Sequence, residues 1–185
     1  SKIIWLSAVP ENSWENGVCA LDLAGDEAGH PNEEFEALFE EARRMEVPVT
    51  IHSGECGSAK NVALALQYGA RRIGHGIAAI KDPSLLEACR NAHIGFELCP
   101  TSNFQTKAAT ELDAYPLRAF LDFGLLATIN TDNRTVSHTT LTDEYTFALE
   151  KLHIKKEDLR TLYKNSVEIS FASDSVKHQL LYLLP

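Results

Sequence analysis

The 185 residues carry 44% hydrophobic and 23% charged side chains, a balance that suits one globular core and argues against a disordered or fibrous chain. A formal net charge of −9 argues against nucleic acid or an anionic membrane surface as partner, since both would be repelled. The four cysteines, Cys19, Cys56, Cys89 and Cys99, form no C-x-x-C pair. No run approaches the ~18 consecutive apolar residues of a membrane helix, so a single cytoplasmic domain over residues 1–185 with reduced thiols is expected.

In chain order, residues 1–17 carry apolar spacing compatible with a helix or a strand end and receive no assignment. A β-branched and apolar run at 18–23 predicts the first strand, and Pro31 and Asn32 then lead into an acidic-fronted helix over 33–45. The second strand is 47–52, and Ser58 opens a helix that runs to residue 68. The third is 72–74, followed by a helix over 84–91 that Asp82 and Pro83 introduce. After the fourth strand, 94–98, comes a helix over 115–123 that Gly124 closes, and then the fifth strand, 125–130. Three helices complete the chain, over 141–152, 156–165 and 173–184.

Strands alternating with helices require a parallel sheet, either open or closed into a barrel. Polar residues decide between the two. Asp22, His52, Glu55, His75 and Asp132 fall at or just past the C-terminal ends of nearly every strand. That distribution matches a barrel whose βα loops form one active face, whereas an open sheet concentrates such groups at a single switch point. Five strands are too few to close eight, so the expected fold class is α/β, the C-terminal portion of a TIM-type (β/α)₈ barrel of the metal-dependent hydrolase kind. Truncation on the N-terminal side would leave unpaired edges at 18–23 and 125–130. It would also leave the chain, by itself, inactive and unstable as a monomer.

His52 and Asp132 offer one imidazole nitrogen and one carboxylate oxygen, both suitable for Zn²⁺, though a catalytic zinc typically takes three protein ligands. Glu55, three residues past His52, can face the same cavity without sharing the ion, as a proton carrier. His75, flanked by two glycines, has room to approach a reacting water and suits a base or an electrostatic role. His30, His93, His138, His153 and His178 lack such context and are read as structural or surface residues. Asp22, Asp26 and Glu27 are read as helix caps or loop holders, and Cys99 and Asn103 as packing and loop-forming residues.

The order L-A-G-D-E (23–27), H-S-G-E (52–55), G-H-G (74–76), C-P-T-S-N (99–103) and N-T-D-N (130–133) resembles that of the adenosine deaminase family, bacterial type, from about residue 18 onward. The resemblance implies a (β/α)₈ barrel, one Zn²⁺, and hydrolytic deamination of adenosine (and 2′-deoxyadenosine) to inosine (or its 2′-deoxy form) and ammonia. His52 then resembles a zinc histidine and Asp132 the zinc aspartate. Glu55 resembles the residue that protonates purine N1, and His75 the one that orients and helps deprotonate the attacking water. Gly25 resembles the glycine whose backbone N–H meets N3, and Asn133 stands where an N7 partner is expected; an amide can donate there as well. Two departures stand out: the family's His-x-His pair of zinc ligands occurs nowhere in the chain, and Asn133 replaces an acidic residue. The competing expectations are a deaminase of adenine or another 6-aminopurine compound, and a non-catalytic barrel fragment.

Overall fold

The computed structural model describes residues 3–5, 19–56 and 58–184. Residue 18 of the first expected strand, and all of 1–17 other than 3–5, lie outside the described residues. One sheet runs β1 (Ile3–Trp5), β2 (Leu21–Ala24), β3 (Val49–Ser53), β4 (Arg72–His75), β5 (Gly95–Leu98) and β6 (Leu126–Ile129), in chain order. All pairings from β2 to β6 are parallel, as the alternation of strands and helices requires. The expected unpaired edge at 18–23 is corrected. β1 covers it antiparallel, with Ile3 opposite Ala24 and Trp5 opposite Asp22. The physical reason is that the exposed N–H and C=O groups of an edge strand template any β-prone segment nearby, and Ile-Ile-Trp is such a segment.

Register explains both faces of the sheet. Leu23, Ile51, Ile73, Phe96 and Ala127 stand side by side across β2 to β6. Every one is fully buried. This row meets the helices: α1 (Glu36–Arg44) buries Phe39 and Ala42, and α2 (Ala59–Gln67) buries Val62 and Ala65. In turn α3 (Pro83–Asn91) buries Leu86 and Cys89, while α5 (Leu117–Phe123) buries Leu117 and Phe120. The recurring three-residue step is what a helix with one buried stripe demands, and each large side chain so buried contributes about 1.5–3 kcal/mol. On the opposite face the neighbours one residue along are His52, Gly74, Glu97 and Thr128. Polar contacts lace that face, with Arg72 paired to Glu97 at 3.0 Å and the Thr50 hydroxyl donating to Glu97 at 2.8 Å. A barrel lumen is built this way.

Three short pieces escape a period-based reading because four to six residues show too little of a helical period: the 3₁₀ turn Ile77–Lys81, α4 (Pro100–Gln105) and α6 (Arg134–Ser137). The helix expected over 33–45 starts instead as a 3₁₀ turn, Asn32–Phe35, before α1. Start signals are realised where side chains can cap. Asp82 accepts from the Leu85 N–H at α3, and Thr140 with Asp143 forms a reciprocal capping box at α7 (Leu141–Lys151). α8 (Asp158–Ile169) packs along β6, and α9 (Asp174–Tyr182) packs on α8.

Candidate active site

His52, the penultimate residue of β3, lies on the lumen side beside Gly74 of β4. A Cβ on Gly74 would lie 2.8 Å from Cγ of the His52 ring, so only glycine leaves the ring this place. On the neighbouring strand the Asp22 carboxylate stands 3.2 Å from His52 Nδ1. It accepts the Nδ1 hydrogen and leaves Nε2 as the lone-pair donor, the usual arrangement behind a metal-binding histidine. Burial opposes protonation of this ring, but the Asp22 hydrogen bond and charge, with Glu97 and Asp132 beyond, raise its pKa overall.

His75 ends β4 two residues after the fully buried Ile73, in the phase that faces the helices. Its backbone is left-handed, with φ 61°, and this breaks the strand's alternation. The ring packs edge-on against His52, centroids 5.2 Å apart, and is buried. Burial pushes its pKa below the ordinary histidine value against the opposing Glu55 carboxylate.

Asp132, past the end of β6, also has a left-handed backbone, φ 54°. Its Oδ2 accepts from the Ser102 hydroxyl at 2.7 Å. Two non-glycine residues with positive φ in one small region are the kind of backbone strain that clusters at functional sites. Donor atoms of His52, His75 and Asp132 all lie within 4.8 Å of one another. His52 and Asp132 can hold a cation there, with His75 beside them.

Glu55 sits in the loop after β3, its Oε2 3.4 Å from His75 Nε2. Its Oε1 accepts from Asn103 Nδ2 at 3.3 Å and from the Thr106 hydroxyl at 3.1 Å. The loop is clamped from below by buried Glu27, whose carboxylate accepts the backbone N–H groups of Gly54 (2.5 Å), Glu55 (3.0 Å) and Cys56 (3.0 Å). Asn61 donates to the same carboxylate at 2.9 Å. Glu27 is therefore a loop holder, while Asp26 closes its own turn by accepting from the Gly29 N–H. α4 is held in turn by buried Glu144 of α7, which accepts from the Thr101 N–H and the Thr139 hydroxyl. A cavity of about 570 Å³ opens beside Glu55, with Ile77, Lys81, Thr106 and Ala109 in its wall.

The two expected substrate contacts lie at the same end of the sheet, outside this knot of side chains. Gly25 is exposed after β2 with φ 117°. Asn133 caps α6, its Oδ1 accepting from the Thr135 and Val136 N–H groups at 3.1 Å each. That leaves its amide nitrogen as the donor. Sequence reasoning passed over Ser102 and Tyr115, and its readings of Asp22 as a cap or loop holder and of Asn103 as a packing residue are corrected by their contacts with His52 and with His75 and Glu55. For Asp22 a signal exists, an acid between two buried leucines in a strand. For the other three, nothing in residue type or spacing announces a contact made across the barrel.

Asp22→Ala in the complete protein should weaken metal binding by about 10–100-fold, the usual cost of removing the partner behind a ligating histidine. Competition with a chromophoric chelator measures it. Unchanged affinity would show that Nδ1 needs no partner.

A parallel αβ sheet with nitrogen and oxygen donors gathered at its C-terminal strand ends defines the class, part of an α/β barrel with a candidate metal centre. The particular family follows from comparison: the family model described as "Adenosine deaminase" matches residues 6–184, and the chain belongs to that family. The adenosine deaminase of Enterococcus faecalis is 43% identical over 166 residues, which is 90% of this chain and 49% of that protein. The chain spans about half the length of the curated relatives it matches. Among solved structures, the adenine deaminase (AAur1117) from Arthrobacter aurescens superposes with a TM-score of 0.84 at 29% identity, covering 89% of this chain and 51% of that one. Arabidopsis ADAL complexed with IMP superposes at 0.82 with 25% identity, over 92% and 50% of the respective chains. The fold is thus the C-terminal part of a (β/α)₈ barrel. No helix among the described residues is long and apolar enough to cross a membrane.

Proposed function

We propose that the protein to whose barrel this chain contributes the C-terminal part is a zinc-dependent adenosine deaminase. It converts adenosine and water to inosine and ammonia, or 2′-deoxyadenosine and water to 2′-deoxyinosine and ammonia. The observation that carries this reading is the convergence of His52, His75 and Asp132 within 4.8 Å, with Glu55 3.4 Å from His75. Its specificity for adenosine is supported by 41–44% identity to adenosine deaminases, against 29% to the adenine deaminase.

The donor set fits zinc: a histidine whose Nδ1 is tied to a carboxylate, a carboxylate pinned by a serine hydroxyl, and a glycine that makes room for the ring. His52 and Asp132 would hold the ion, with two further ligands supplied from the remainder of the barrel. Bound there, zinc lowers the pKa of water toward ~7 and so makes hydroxide available at neutral pH. Glu55 delivers a proton to purine N1, which makes C6 electrophilic as water adds and the C6–N bond breaks to release ammonia. His75 orients the incoming water. The Gly25 N–H meets N3, and the Asn133 amide, its oxygen already engaged by α6, donates to N7. Cys19, Cys56, Cys89 and Cys99 are free thiols, which suits a reducing cytoplasm.

The test is ammonia release by the complete, zinc-loaded protein from adenosine, 2′-deoxyadenosine and adenine. Turnover of the two nucleosides is expected. Preference for adenine would overturn the substrate, and no turnover of any of them would overturn the reaction.

A further inference from the structure

We propose that Asn103 is the residue that positions His75 and Glu55 as a pair, and that it fixes the neutral His75 ring as the tautomer carrying its hydrogen on Nε2. The catalytic meaning of this pair rests on the deaminase reading; the tautomer itself does not. Asn103 is fully buried and its side chain touches three partners. Its Nδ2 lies 2.9 Å from His75 Nδ1 and 3.3 Å from Glu55 Oε1. Its Oδ1 accepts from the Tyr115 hydroxyl at 2.9 Å. The backbone is held as well, with its N–H donating to the Cys99 carbonyl and its own carbonyl accepting from the Ala109 N–H.

An amide can be turned either way, and here its surroundings choose. Tyr115 is buried, and burial keeps its phenol in the O–H form, a donor for Oδ1. Turned over, the amide would set Oδ1 against the Glu55 carboxylate at 3.3 Å, one acceptor facing another. Nδ2 therefore faces both Glu55 and His75. A donor at His75 Nδ1 requires a lone pair there, so the hydrogen of the neutral ring resides on Nε2. That nitrogen stands 3.4 Å from Glu55 Oε2.

A consequence for the cation cluster follows. Nε2 bearing hydrogen has no lone pair in the ring plane, so His75, although within ligand distance of His52 and Asp132, is a hydrogen-bond donor at this site rather than a third ligand. One amide thus holds the ring's hydrogen toward Glu55 while also anchoring the carboxylate. Cys99 and Pro100 open the short helix that carries Asn103, which is how a residue of unremarkable type comes to sit between two chemical groups.

The experiment is a long-range ¹⁵N–¹H correlation spectrum of the complete protein labelled at histidine, metal-free and zinc-loaded, with His75 identified by its loss in His75→Gln. The expected result is an Nε2-protonated ring in both forms. Asn103→Asp replaces the donor by an acceptor and should move the hydrogen to Nδ1, with kcat lower by about 10²-fold and KM nearly unchanged, as for a misplaced reacting group. An Nδ1-protonated ring in the wild-type protein overturns the proposal, as does an Asn103→Asp protein with the wild-type tautomer and kcat. The wild-type spectrum decides even where that variant fails to fold. A wild-type protein with an Nε2-protonated ring but no adenosine turnover would remove the deaminase reading and leave the tautomer assignment standing.

Discussion

Replacing Glu55 with glutamine in the complete protein should leave zinc content intact and reduce adenosine turnover by ~10²- to 10⁴-fold, the range expected when a general acid is removed. Glutamine has nearly the same shape, and its carbonyl oxygen can still accept from Thr106 and Asn103, as Glu55 Oε1 does. The loop beneath stays in place because Glu27 grips it through the backbone N–H groups of Gly54, Glu55 and Cys56, which the substitution does not touch. Nor is Glu55 among the clustered cation donors. The transferable proton is lost, together with the acceptor oxygen that faces His75 Nε2. Metal analysis alongside steady-state kinetics is the measurement, and near-wild-type turnover with full zinc occupancy would remove Glu55 from the chemistry.

Asp132→Ala should instead abolish zinc retention through dialysis and take turnover with it. The loss in affinity should exceed the about 100-fold that an outer partner such as Asp22 can cost. Asp132 provides the only carboxylate among the three clustered donors of the described residues, and its loss also strands the Ser102 hydroxyl that holds it. The fold should survive, since Asp132 is exposed and lies beyond β6, outside the buried row of Leu23, Ile51, Ile73, Phe96 and Ala127. Circular dichroism and zinc content measured on one preparation separate the two effects. An Asp132→Ala protein that keeps its zinc would move the site elsewhere.

The two substitutions divide the site by chemistry. One removes a proton and spares the metal; the other removes the metal and spares the fold. Asn103 belongs to neither class, because it touches no substrate atom in the proposed mechanism and acts through His75 and Glu55.

Much of the architecture was legible before any coordinates. The five parallel strands and most of their helices followed from period together with start and stop signals such as Ser58, Asp82 and Gly124, because a strand buried against helices must show apolar residues such as Leu23, Ile51 and Phe96, and a helix laid on them must repeat its buried side chains every three or four residues. The ordered motifs placed His52, Glu55, His75 and Asp132 at strand ends, where barrel chemistry is found. Tertiary structure alone decided how those ends meet. His75 enters the site because a left-handed backbone at φ 61° turns it out of the phase it shares with Ile73, and local sequence does not reveal that choice. Asn103 and Tyr115 matter through contacts with residues 12 to 48 positions away, and Asp22 matters through a ring 30 positions ahead. The antiparallel partner of β2 was equally hidden, since a three-residue strand carries almost no period. Local order is written in spacing, because neighbours along the chain share one backbone geometry; a site assembled from several strand ends depends on register and loop geometry, which only the packed sheet settles.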